Sequence, residues 1–155
     1  MWKRGIAVVA ALQMLAACTP TNSYKPAPDL TPQTAATLVG SKEAYRNPFV
    51  KDMRMSVGAI DGVPVGGAWD EPVLVAPGQH TIQMAAHIAT RGGGIASLAE
   101  LAPAKTYTVR GERHGQFHAT AWIEDKDTGQ AVTERLDICL IDAAPLIQLL
   151  TPCAK

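Results

Sequence analysis

Four histidines, five methionines, three cysteines and a short acidic run are the side chains of this 155-residue chain with chemistry to offer. His114 and His118 stand four apart, and His80 and His87 lie on an earlier segment. Imidazole binds zinc or copper through bonds of about 2 Å. In extended chain, residues four apart share a face but sit about 13 Å from each other at 3.3 Å per residue. His114 and His118 could therefore share an ion only where Gly115 bends the strand. His80, His114 and His118, with Met53, Met55 and Met84 as soft ligands for copper(I), make up an alternative reading as a metal site. At strand spacing the methionines are more simply core side chains. Glu124, Asp125 and Asp127 surround a predicted turn and could hold calcium weakly, although a solvated turn is the commoner use of such residues. Trp122 and Tyr107 are expected in the core, anchoring two sheets. No Gly-x-Ser-x-Gly elbow, metalloprotease helix or Cys-x-x-Cys occurs, and Gly92-Gly93-Gly94 lacks the lysine and hydroxyl residue of a phosphate loop. No catalytic residue and no cofactor is assigned.

The remaining cysteine chemistry begins at the N-terminus. Lys3 and Arg4 precede an apolar run from Gly5 to Ala17 broken only by Gln13. A positive start, a short apolar stretch and small residues before a cut are the marks of a secretory signal. The run is too short to span a bilayer, which takes roughly 20 apolar residues. Leu15-Ala16-Ala17-Cys18 then resembles the lipobox of bacterial lipoproteins. Small side chains admit the peptidase, the Cys18 thiol accepts a diacylglyceryl group, and its freed amine can take a third chain. Two or more acyl chains anchor a protein stably where one holds it only marginally. Thr19, where enteric bacteria use aspartate for inner-membrane retention, favours the outer membrane by the same resemblance. Localisation to the cell envelope is the expectation.

Cleavage before Cys18 removes 17 residues and leaves 138, enough for one domain with a real core and too few for two. Lys3 and Arg4 are lost with the signal, so 12 basic residues face 14 acidic ones in the mature chain. Without a basic stripe nucleic acid is not an expected partner, and aromatics at 5% argue against stacking platforms. In an oxidising compartment the pair Cys139 and Cys153 reads as a disulfide that pins the C-terminal tail, a constraint of about 3 kcal/mol by loop entropy. Two buried thiols are the alternative.

Position of these groups depends on the elements that carry them. Residues 18–33 hold the lipidated cysteine and a proline-rich stretch read as a disordered tether. Residues 34–144 read as the folded domain and 145–155 as a tail. Thr34–Gly40 is a plausible first strand. Lys51–Ile60 alternates, with Met53, Met55, Val57 and Ala59 on one side and Asp52, Arg54 and Ser56 on the other. Asp61-Gly62 supplies a turn, and Pro72–Ala76 is a short strand ending at Pro77-Gly78. In Gln79–Thr90, His80, Ile82, Met84, Ala86 and Ile88 share a face. Arg91–Gly94 is expected to break the run as a mobile hairpin tip. Ile95–Leu101 reads as helix or strand. Lys105–Arg113 alternates again, and 117–124 and 131–138 flank a hairpin loop at 125–130 with Gly129 left-handed. The predicted fold is all-β, a single antiparallel sandwich of about seven or eight strands.

Three segments carry a further resemblance: "GAIDGVPV" at 58–65, "VLVAPGQHTIQM" at 73–84 and "LAPAKTYTVRGER" at 101–113. In order they resemble the PEGA-type and related immunoglobulin-like modules of bacterial envelope proteins. "AWIEDKDTGQAV" at 121–132 is similar to small envelope lipoproteins. Gln79 stands where the PEGA motif has glutamate, and no Gly-Tyr closes the module. The resemblance implies an immunoglobulin-like sandwich and supplies no catalytic residues. Together these features predict a non-enzymatic, membrane-anchored binding or scaffolding module whose partner is another envelope protein or a surface polymer.

Overall fold

The alternation from residue 53 onward has its structural cause in two packed sheets. A computed structural model describes residues 23–45 and 51–142; the signal, Cys18, Cys153 and the tail lie outside the described residues. Among those described, the strands in chain order are β1 (Ala36–Val39), β2 (Ser41–Glu43), β3 (Met53–Ile60), β4 (Val63–Pro64), β5 (Val73–Val75), β6 (Gly78–Ile88), β7 (Arg91–Leu101), β8 (Thr106–His114), β9 (His118–Asp125), β10 (Leu136–Cys139) and β11 (Ile141–Asp142). One sheet has the order β10-β9-β8-β1-β5, and the other β11-β7-β6-β3-β2 with β4 added beside β3. The expectation of an all-β, sandwich-like fold holds at that level. The larger number of strands arises from β2, β4 and β11, pieces of two or three residues that pair briefly at corners. Pairing is not wholly antiparallel either: β1 lies parallel to β8, Thr37 opposite Thr106.

Between the sheets, Met53, Met55, Ile82, Met84, Val109, Ile123 and Ile138 are at most 1% exposed. The methionines are thus core side chains, flexible enough to fill an irregular interior. Tyr107 joins this core, and its hydroxyl accepts the N–H of Ala102 at 2.9 Å. Trp122 does not. On β9 the inward residues are Ala119, Ala121 and Ile123, so the pleat turns Trp122 onto the outer face. It is buried there by Arg135, whose guanidinium lies 4.0 Å from the ring centre, while its indole N–H reaches Glu124 at 3.4 Å.

The triple glycine is likewise not a tip. β6 and β7 pair without interruption over eleven residues each, Gly78 opposite Leu101 and Ile88 opposite Arg91, so the turn is only Ala89-Thr90. Glycine serves close approach instead. A Cβ on Gly93 would run into the Cys139 carbonyl oxygen and come within 2.7 Å of Ile138. Ile95–Leu101 resolves as strand within β7. The 125–130 turn is present, with Gly129 at φ 68, but its connection runs on to Leu136 before β10 begins. Asp61 and Gly62 both have positive φ, 50 and 79, as a two-residue type I′ hairpin requires.

Within the proline-rich stretch read as a tether, Tyr24 is bonded to the body. Its N–H donates to the Pro64 carbonyl at 2.7 Å and its hydroxyl to that of Leu74 at 3.2 Å.

Candidate binding end of the sandwich

Two hairpin tips, one from each sheet, meet at one end. Arg91 ties them: its Nη1 donates to the Gln116 carbonyl at 3.2 Å, and its guanidinium lies 4.5 Å from the centre of the Phe117 ring. Alternation and register then collect cations there. Arg54 and His87 are outward residues of neighbouring strands and stand opposite each other across β3 and β6. Lys42, Lys51 and Arg113 lie around the same tips, lining adjoining grooves with Ala89. Carboxylates answer only some of these. Asp52 pairs with Lys42 at 2.8 Å, and Asp142 holds Arg91 at 3.1 Å. Hydrogen bonding from Lys42 keeps the Asp52 carboxyl below the usual carboxylate range. Among the described residues no carboxylate lies within 4 Å of Lys51, Arg54 or Arg113.

A loop completes the surface. Gly67 takes φ 104, and the Glu71 carboxylate accepts the Ala68 N–H at 3.2 Å, closing residues 66–71 into a tight curl. The curl is seated at Gly40, where any Cβ would collide with the carbonyl oxygens of Trp69 and Met55. Trp69 is thereby held with its ring centre 5.9 Å from the Arg54 guanidinium, within range of a cation–π contact. A groove of 370 Å³ runs between this loop and the strand face carrying Ser56 and Ala85. A second groove of 370 Å³, with Lys42, Lys51 and Asp52, shares Arg54 and His87 with it. Chemically this is a shallow, cation-lined surface with one aromatic wall, suited to holding an anionic chain rather than enclosing a small molecule.

The opposite end has the reverse sign. Asp61, Glu100, Asp125 and Asp127 lie around turns there, answered by Lys105 and Lys126, while Asp70 and Glu71 belong to the curl beside Trp69. The acidic group expected to grip calcium is engaged internally. Asp125 Oδ1 accepts the N–H groups of Asp127 and Thr128 at 2.9 and 3.2 Å, and Lys105 lies 3.3 Å from its other oxygen. Burial opposes the charge on Asp125, but these donors outweigh it and hold its pKa below the usual value.

The histidines of the metal alternative are divided between the two ends. Gly115, at φ 76, does bend the chain, and His114 stands directly opposite His118 across β8 and β9. The 13 Å separation expected of a straight strand is therefore corrected: such cross-strand neighbours have Cβ atoms about 5 Å apart. His80 cannot join them. It lies eight residues down β6 from the tip, about 26 Å at strand rise, with Nδ1 2.6 Å from Asp61 and Nε2 2.9 Å from the Ala76 carbonyl. Among the described residues no three His, Cys, Asp or Glu side chains are grouped to hold a metal ion. Cys139 ends β10 opposite His118, while Cys18 and Cys153 fall outside the described residues. The sequence marks neither Arg54 nor Trp69 as a site residue, and His87 only as one of four histidines. The alternation placed Arg54 outward, but only the register brings His87 beside it and only the Gly40 crossing brings Trp69. Comparison of the chain with models of protein families, with curated proteins and with solved structures finds no match.

Proposed function

We propose that this chain is a membrane-anchored envelope lipoprotein, non-enzymatic, whose immunoglobulin-like, PEGA-related sandwich holds an anionic surface polymer at its cationic tips. The observation that carries the reading is the opposition of its two ends. Lys51, Arg54, Arg113 and Trp69 gather at the tips, while Tyr24 fastens the N-terminal segment to Pro64 and Leu74, and Ser23 lies beside Gly66 at the end of the groove away from Arg54. Only residues 19–22 separate Cys18 from Ser23, a reach of at most about 18 Å. Lipidation of Cys18 then sets the acidic half toward the bilayer and turns the cationic tips outward. A disulfide between Cys139 and Cys153 belongs to the same reading, and localisation to the outer membrane follows the Thr19 resemblance.

Two measurements test it. Labelled palmitate should enter the full chain and not Cys18→Ser, which should appear in the soluble fraction. An immobilised phosphorylated polysaccharide should retain the detergent-solubilised chain and release it with salt, and the double variant Lys51→Ala, Arg54→Ala should elute earlier. Unchanged membrane association of Cys18→Ser defeats the anchor; unchanged retention of the double variant defeats the binding end.

A further inference from the structure

Among the described residues, the edge of β7 is the longest stretch of strand left without a strand partner. Its partner β6 takes the backbone groups of alternate residues from Arg91 to Leu101, because a two-residue turn makes Ile88 and Arg91 a hydrogen-bonded pair. The N–H and C=O of the even-numbered residues therefore point away from β6. At Gly92 they meet Ile141 of β11, in agreement with that alternation. Beyond Gly92, β7 has no further strand partner among the described residues, so Gly94, Ala96, Leu98 and Glu100 turn their backbone groups to the edge, where the Leu98 carbonyl accepts only a long 3.4 Å contact from the Ser97 hydroxyl. A groove of 650 Å³ runs beside them, walled on the far side by residues 131–136. Of the four large exposed hydrophobic residues described, Leu98, Val132 and Ile141 border this edge, and Leu98 is 61% exposed. From Gly92 to Ala99 there is neither charge nor proline, the devices that normally keep such edges from pairing.

We infer that the β7 edge is the seam of a two-fold dimer, in which a second copy of this chain adds its own β7 antiparallel. The free stretch selects this occupant. It is bounded by β11 at Gly92 and by the Ala102-Pro103 turn after Leu101, so its centre is Ser97. A two-fold axis at Ser97 sets Gly94 opposite Glu100 of the second copy and Ala96 opposite its Leu98. In that register every free backbone group on the four residues finds a partner, and both strands end where the other meets an obstacle. Side chains agree with it. Each Leu98 lies beside an alanine and reaches toward the bare backbone of Gly94, and Glu100 faces a glycine, so no like charges are opposed. A closed two-fold contact of this kind uses the same patch on both copies and does not propagate into fibres. The inference is independent of the ligand at the cationic tips, which lie beyond β11.

Cross-linking in native membranes, with the full chain, tests it. At the axis, Ser97 of both copies forms a non-hydrogen-bonded pair with Cα atoms about 4.5 Å apart, inside the roughly 4.4–6.8 Å range a disulfide spans. Ser97→Cys should give an oxidant-dependent band of twice the chain mass that the unsubstituted chain lacks. Ala99→Cys, whose copies stand four residues out of register, should not. Adding Leu98→Lys, at an exposed position that leaves the core intact, should abolish the Ser97→Cys band. No band from Ser97→Cys, an equal band from Ala99→Cys, or a band that survives Leu98→Lys each overturns the dimer. So does a band at another mass, which would show a foreign strand in the groove.

Discussion

Asp61 shows how much one residue settles locally. It occupies a left-handed position at φ 50, accepts the Thr81 N–H at 2.8 Å and lies 2.6 Å from His80. The His80 contact, with the backbone bond second, holds its carboxyl below the ordinary range. A depressed folded pKa contributes stability above the unfolded value, about 3.9, and that contribution is lost as pH falls through the lower folded value. Asp61→Asn, which tolerates the same φ, should therefore lower Tm at pH 7 and flatten its fall below about pH 4, the variant and parent curves converging in acid. Asp61→Ala should lose about 1 kcal/mol at neutral pH from the backbone alone, read by urea unfolding. Trp122 makes the complementary case on the other sheet. Because Arg135 covers its ring from 4.0 Å, Arg135→Ala should red-shift the tryptophan emission and lower stability by about 0.5–1 kcal/mol. An unshifted spectrum would mean the ring is shielded by something else.

At the scale of elements, the glycines of β7 separate packing from flexibility. Gly93→Ala places a Cβ against the Cys139 carbonyl and Ile138, both on a neighbouring strand, and should cost about 1–3 kcal/mol in chemical denaturation. Gly94→Ala meets the Met84 carbonyl oxygen only at 3.2 Å and should be milder. Were Gly92-Gly93-Gly94 a free tip, both would be neutral. This is where reading the sequence stopped short. Period-two alternation located β3, β6 and β8 and sorted Met53, Met55 and Val57 inward, because the pleat acts on each residue independently of the rest of the chain. It does not say that three glycines lie within a strand, since the backbone that Gly93 admits is β10, some 45 residues later. For the same reason the sequence alone puts Trp122 in the core: the alternation assigns two faces to β9, and only the partner sheet says which one is inside. The candidate site was still less legible. Arg54 was correctly outward, yet its neighbours His87 and Trp69 depend on register and on the Gly40 crossing, neither of which is a local property.

At the scale of the molecule, charge is balanced in sum, but the cations without a carboxylate partner, Lys51, Arg54 and Arg113, gather at the hairpin tips, while Asp61, Asp125 and Asp127 lie at the far turns. Tyr24→Ala should test how firmly the N-terminal segment is fixed to the body. Loss of its bonds to Pro64 and Leu74 should make the segment before Thr34 a protease-sensitive site and leave the remainder protected, as seen by limited digestion and mass measurement. Equal resistance in variant and parent would show that other contacts hold it. The lone parallel pairing has its own consequence for how the molecule is made. β1 is wedged between β5 and β8, with Thr37 opposite Thr106, so the first strand to emerge from synthesis must wait for chain nearly seventy residues downstream. Until then its apolar residues have only the short β5 to pair with, and high contact order of this kind slows folding. The nascent polypeptide thus spends an interval with an incomplete sheet, during which a holding chaperone has something to hold.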